Sequence, residues 1–236
     1  MEFKQIIFDF DGVIYPSTVN SMERIRKNIA IAVDSNKKVP DLSLLKELWG
    51  QNMEMISENL AFALDWSEEE RAMFLDIHLN DQSALDVNTE EQALIFELLL
   101  HFKSKKKDLF ILTNRDQESF LRASKEIGLN LKMFELIIAG NTLKDKITQQ
   151  FICKPNPLVL KPILKHKRHY QLKDFVFVGD SILHDFQLAT NTNLNFIGLT
   201  TGLHDYEEWE ENFKIKRNGF SYQVASSLLE IRELIK

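Results

Sequence analysis

Five short apolar runs constrain this chain more than any other feature: Gln5 to Phe8, Leu109 to Leu112, Leu136 to Ala139, Phe175 to Val178 and Asn195 to Leu199. None shows the polar alternation of a half-exposed strand, so each reads as a strand buried on both faces. Helical patterns separate most of them, with Glu90 to Phe102 in one gap and Asp116 to Ile127, stopped by Gly128, in another. Strands alternating with helices predict an α/β fold built on a mostly parallel sheet flanked by helices.

The interval 16–86 breaks that rhythm. It reads as four consecutive helices and no strand. The first has an Asn20-x-x-Glu23 cap and an apolar stripe at Met22, Ile25, Ile29 and Val33. Pro40-Asp41 opens the second, with Leu44, Leu45 and Leu48 inward and Gly50 closing it. Met53, Ile56, Leu60 and Leu64 mark the third, and a Ser67-x-x-Glu70 capping box starts the fourth, which carries Leu75 and Leu79. We therefore expect a catalytic core of residues 1–15 and 87–236, with a small helical domain, 16–86, inserted after the first strand. No repeat and no low-complexity segment occurs.

The charge pattern narrows the function. A formal net charge of −6 over 236 residues argues against a nucleic-acid footprint, which needs clustered Lys and Arg. The Lys103 to Lys107 run reads as a solvated loop. Cys153, the single cysteine, cannot form an intrachain disulfide, and its stretch reads as packing. With Glu2 at the start and Asp9 and Asp11 around its first apolar run, the N-terminus does not read as a signal peptide. The longest apolar stretches are too short for a membrane span. These features lead us to expect a soluble, cytoplasmic protein with no nucleic-acid or membrane partner. No pattern specifies an oligomeric state.

The chemistry-bearing residues cluster where strands end. Phe8-Asp9-Phe10-Asp11-Gly12 closes the first strand. In an extended chain residues i and i+2 share a side, so Phe8 and Phe10 face the core while Asp9 and Asp11 face the other way. Two neighbouring carboxylates are costly to bury and raise each other's proton affinity unless a cation sits between them. Gly12 permits a sharp turn or a close backbone approach. The second run leads into Thr113-Asn114, and Phe175 to Val178 leads into Gly179-Asp180-Ser181, with Asp185 beyond. Between them stands Lys154-Pro155-Asn156-Pro157, in which Pro157 suits the first position of a helix capped by Asn156. Ligands of parallel α/β sheets bind beyond the carboxyl ends of the strands.

These four segments, in this order, resemble the four signature motifs of the haloacid dehalogenase-like hydrolase superfamily. The likeness covers nearly the whole chain. The helical insert stands where that family carries a small cap, as in the phosphoglycolate phosphatase and β-phosphoglucomutase branch. The resemblance implies a Rossmann-like core and a Mg2+-dependent phosphatase acting on a small phosphorylated metabolite. In it Asp9 is the nucleophile and Asp11 the acid/base. Thr113, Asn114 and Lys154, with Gly12, meet the phosphate, and Asp9, the Asp11 carbonyl, Asp180 and Asp185 serve the metal. Many relatives place the last acid one residue earlier, where this chain has His184; the longer spacing to Asp185 also occurs in the superfamily. His184 reads as a structural histidine. Pro162 should kink the helix after Lys154 or delay its regular start.

Other functions fit the same likeness less well. A phosphomutase would pass the phosphoryl group to a second hydroxyl. A phosphonate hydrolase would need a cap lysine forming a Schiff base, and the dehalogenase branch generally lacks the second aspartate. A non-catalytic binding protein would be marked by loss of a motif residue, and none is missing. The segment Ser17 to Asp86 holds thirteen acids against seven bases, which disfavours heavily anionic substrates such as bisphosphates.

Overall fold

In a computed structural model of the protein, residues 2–15, 18–51, 53–81, 89–214 and 220–236 are described. The chain divides into two compact units, Met1–Pro16 with Val87–Lys236, and Ser17–Asp86. In chain order the elements are β1 (Gln5–Phe8), α1 (Thr18–Ala32), α2 (Leu42–Leu48), α3 (Met53–Leu64), α4 (Glu68–Asn80), α5 (Thr89–Ser104), β2 (Asp108–Leu112), α6 (Gln117–Glu126) and β3 (Leu136–Ile138). There follow α7 (Lys161–His166), β4 (Phe175–Gly179), α8 (Gln187–Thr192), β5 (Asn195–Leu199), α9 (Tyr206–Phe213), β6 (Tyr222–Ala225) and α10 (Leu228–Leu234).

Among the described residues the strands of the larger unit form one sheet in the order β3-β2-β1-β4-β5-β6, with every pairing parallel. The five apolar runs are its first five strands. The chain steps outward from β1 through β2 to β3, then returns to the other side of β1 for β4. The order reverses beside β1, so its carboxyl end is the expected site of a ligand crevice. Beyond it, an aromatic cluster of Phe186, Phe196 and Phe213 surrounds the buried Trp209. Gly198 of β5 is required there, because a Cβ would lie 2.7 Å from the Trp209 ring.

β6 escapes the sequence reading. It is an edge strand whose Tyr222, Gln223 and Val224 are only half-buried, so no continuous apolar run announces it. The Lys103 to Lys107 run is not wholly a solvated loop: Lys103 belongs to α5, and Lys107 is buried, its Nζ donating to the Lys236 carbonyl at 2.7 Å. Pro162 acts as expected. A 3-10 turn over Pro157–Leu160, capped by Asn156 through the Leu158 amide, precedes α7, which begins regular winding only at Lys161.

In the smaller unit α1 packs on α4, and α4 on α3. Met22, Ile25 and Ile29 are buried along α1. That helix already runs at Thr18, so Asn20 lies within its first turn and not ahead of it. The buried anchor of α4 is Phe74, edge-on to Trp66 at 5.8 Å, whereas Leu79 is half-exposed. The Ser67–Glu70 capping box is formed, with Glu70 accepting from the Ser67 amide at 2.7 Å and from Lys37 Nζ at 2.7 Å. The Lys37 bond, with the Ser67 and Asp34 amides, holds the Glu70 carboxyl down at about 2.

Candidate active site

The chain does not stop pairing at Phe8. The Asp9 amide donates to the Val178 carbonyl at 2.9 Å, so Asp9 stands at the carboxyl end of the central strand, between β2 and β4. Phe8 and Phe10 are fully buried on the opposite side, Phe8 against Phe102 and Phe10 against Tyr15 and Phe120. The next strand along, β4, delivers Asp180, and a turn beyond it delivers Asp185. Asp9, Asp180 and Asp185 are all buried and bring one carboxylate oxygen each within 4.8 Å of one another.

The spacing from Asp180 to Asp185 has a local cause. Ile182–Phe186 forms a π-helical turn in which the Phe186 amide reaches back five residues to the Ser181 carbonyl at 3.0 Å. A widened turn takes in one extra residue without unwinding the helix that follows. Asp185 then points back over the strand end, where its Oδ2 accepts from the Asp180 and Ser181 amides, each at 3.1 Å. His184 is buried one position earlier.

Lys154 enters the acid cluster from the segment before α7. Its Nζ donates to Asp9 Oδ1 at 2.6 Å and to Asp185 Oδ1 at 2.7 Å, and lies 5.6 Å from the Phe177 ring centroid. Asn114 fixes this lysine from behind. Its Oδ1 accepts from the Lys154 amide at 2.7 Å and its Nδ2 donates to the Lys154 carbonyl at 3.0 Å. Asn114, expected to meet the phosphate, thus also pins the Lys154 backbone with its side chain. Gly140 must lack a side chain for this strand end to close, since a Cβ there would sit 2.1 Å from the Asn114 carbonyl oxygen. Thr113 is buried at the end of β2, where its Oγ1 accepts from the Arg115 amide at 3.1 Å. Gly12 has φ +76° and its amide donates to the Tyr15 carbonyl at 2.9 Å, so it serves the turn that carries Asp11.

Asp11 lies apart from the acid cluster. Its carboxylate is gripped by Arg115, a residue that sequence reasoning missed. Arg115 Nε stands 3.1 Å from both Asp11 oxygens, and Nη2 is 2.5 Å from Oδ1. The available signal was adjacency, since Arg115 directly follows Thr113-Asn114.

The electrostatics ask for another cation. Burial, and next the charge of Asp185, push Asp9 up to about 8 against the pull of Lys154. Burial, with Asp9 and Asp185, holds Asp180 well above the usual carboxylate range. Burial pulls Lys154 down, but Asp185 and Asp9 outweigh it and hold the ammonium above the ordinary lysine value. One ammonium cannot neutralise three buried acids, so without a further cation a proton must stay among them. Asp180 Oδ2 is buried with no hydrogen-bond partner, and Gly202 keeps space beside it: a Cβ there would lie 2.3 Å from that oxygen. An orphaned buried oxygen among carboxylates fits a hard divalent cation, for which oxygen donors are preferred over nitrogen or sulfur.

A parallel sheet that gathers three carboxylates and a lysine at the end of its central strand defines an α/β protein with a buried acid–ammonium centre able to hold a divalent ion. The profile of the haloacid dehalogenase-like hydrolase family matches residues 6–199, which include every residue of that centre. This chain belongs to that family. No curated protein matches it significantly. Solved structures share its fold. A predicted phosphoglycolate phosphatase from Haemophilus somnus is 20% identical, with TM-score 0.72 and 99% and 98% of the two chains covered. A candidate haloacid dehalogenase-like hydrolase from Bacteroides fragilis is 16% identical, with TM-score 0.72 over 98% and 100%. A candidate β-phosphoglucomutase from Thermotoga maritima is 20% identical, with TM-score 0.63 over 100% of both chains. Among the described residues no helix is long and apolar enough to cross a membrane.

Proposed function

We propose that the protein is a magnesium-dependent phosphatase that hydrolyses a small phosphomonoester through an aspartyl phosphate on Asp9. The observation that carries this reading is the Lys154 ammonium held 2.6 Å from Asp9 and 2.7 Å from Asp185, beside the unpartnered Asp180 Oδ2. A nucleophilic carboxylate needs its charge balanced while a phosphate approaches, and a fixed ammonium supplies that without reorganisation.

In the first half-reaction an Asp9 oxygen attacks phosphorus, the bond to the leaving oxygen breaks, and Asp11 gives that oxygen a proton. In the second, water attacks the phosphoryl group, Asp11 takes the water's proton, and the bond to Asp9 breaks to release inorganic phosphate. The Thr113 hydroxyl accepts from the Arg115 amide, which leaves its proton for a phosphoryl oxygen. Asp9, Asp180 and the Asp11 carbonyl would hold Mg2+, with Asp185 beside them. When bound, the ion adds positive charge against the phosphoryl oxygens. The Ser17–Asp86 unit would be the substrate-selecting cap that the family resemblance implies.

The test is turnover of an aryl phosphate by the purified protein with magnesium. Asp9→Asn should lower kcat by more than about 10³-fold while the circular-dichroism spectrum is unchanged. Undiminished turnover in that variant would refute the nucleophile. A panel of phosphorylated metabolites then identifies the substrate. A requirement for a bisphosphate activator with little phosphate release would turn the reading to a mutase.

A further inference from the structure

We propose that Arg115 is a positioning residue that assigns separate roles to the two oxygens of Asp11; the inference rests on the phosphatase reading above. The grip is asymmetric. Asp11 Oδ1 faces both Nε at 3.1 Å and Nη2 at 2.5 Å, whereas Oδ2 faces only the shared Nε at 3.1 Å. Oδ1 is therefore the anchored oxygen, and Oδ2 keeps the acceptor capacity through which a proton can pass.

Arg115 is itself immobilised on several sides. Its guanidinium carbon lies 5.4 Å from the Tyr15 ring centroid and 5.9 Å from that of Phe10, two rings stacked on each other at 5.5 Å. Its Nη1 donates to Ser119 Oγ at 2.9 Å, and its carbonyl accepts from the Gly140 amide at 2.8 Å. Tyr15 is tied in turn by its hydroxyl to Glu126 at 3.1 Å. The Asp11 backbone bridges to Tyr15 in the same turn. A planar fork held this way fixes the plane of the carboxylate it meets, which a lysine could not do. The partner of a proton-transfer group must be held to a fraction of an ångström for the transfer to be fast.

The arrangement is specific in what it excludes. Asp11 could otherwise swing into the nearby acid cluster and compete as a side-chain ligand. Pinned by Arg115, its carboxylate stays outside the group formed by Asp9, Asp180 and Asp185. The Arg115 guanidinium bonds to Asp11 and Ser119 and reaches Asp9 only through Asp11. It acts through Asp11 and is not a catalytic residue itself.

A double-mutant cycle on the full-length protein with magnesium tests this. Arg115→Gln should lower kcat by about 10²-fold, the low end of what general acid–base catalysis contributes, with KM little changed. The loss should be larger for an alkyl phosphate than for nitrophenyl phosphate, whose leaving group needs no proton. Arg115→Lys should recover little of it. The variant carrying both Asp11→Asn and Arg115→Gln should be no slower than Asp11→Asn alone. Ser119→Ala, which loosens Arg115 without touching Asp11, should show a smaller loss with the same leaving-group bias and serves if Arg115→Gln fails to fold. Losses that multiply in the double variant, or a raised KM with unchanged kcat, would overturn the role of Arg115. Turnover that survives Asp9→Asn would overturn the underlying reading instead.

Discussion

At the residue scale the centre is a problem of unbalanced charge. Asp9 and Asp180 are raised chiefly by burial, and Lys154 satisfies one oxygen of Asp9 and one of Asp185 but reaches no further. This has a pH signature. In metal-free protein Asp9 titrates at about 8 in the fold against 3.8 in the unfolded chain, so the folded state keeps a proton that the unfolded chain has released. The stability linked to that proton is fully present below 3.8 and is lost as pH rises through about 8. The melting temperature in EDTA should therefore fall between about pH 5 and about pH 8, and magnesium added at the upper end should restore it. A melting temperature that rises over that interval in EDTA would contradict the account. How Asp11, the proposed acid/base, is held was not legible from the sequence. Asp11 and Arg115 meet across more than a hundred residues of chain, and their pairing depends on β1 and β2 lying side by side. That Asp9 and Asp180 stand at strand ends was legible because each acid follows an apolar run, whereas Lys154 was singled out only by the family resemblance of its segment.

At the element scale, small backbone features set where these side chains point. The π-helical turn carries Asp185 to the strand end, and the loop after β5 brings Gly202 against Asp180. Gly202→Ala should push the Asp180 carboxylate aside and raise the magnesium concentration for half-maximal activity by about tenfold or more, with little change in fold. An unchanged magnesium requirement would show that this contact does not matter. Strand positions were readable for a physical reason. A strand covered on both faces writes a continuous apolar run, as β1 and β4 do. β6, at the edge and half-covered, writes Tyr-Gln-Val-Ala and passes for loop. The helices of the insert were readable as helices, but which residue anchors them was not. Leu75, Leu79 and Phe74 lie close together on α4, and only packing against Trp66 decides for Phe74.

At the scale of the whole molecule the net charge of −6 works against an anionic substrate, while the centre itself needs a cation. Long-range repulsion is screened by salt and the buried centre is not. Raising ionic strength from about 0.01 M to about 0.15 M shortens the screening length from roughly 30 Å to roughly 8 Å. The kcat/KM for an anionic phosphomonoester should rise severalfold over that range, and more for a bisphosphate than for a monophosphate. A fall would mean that local cations near the substrate outweigh the overall charge. Covalent chemistry at the Asp9 carboxylate can be caught by acid quenching during turnover followed by peptide mass mapping. A phosphoryl group is expected on the peptide that contains Asp9, absent without magnesium and absent in Asp9→Asn. Steady turnover with no phosphorylated peptide at any time point, or a phosphoryl group mapped to another residue, would contradict it.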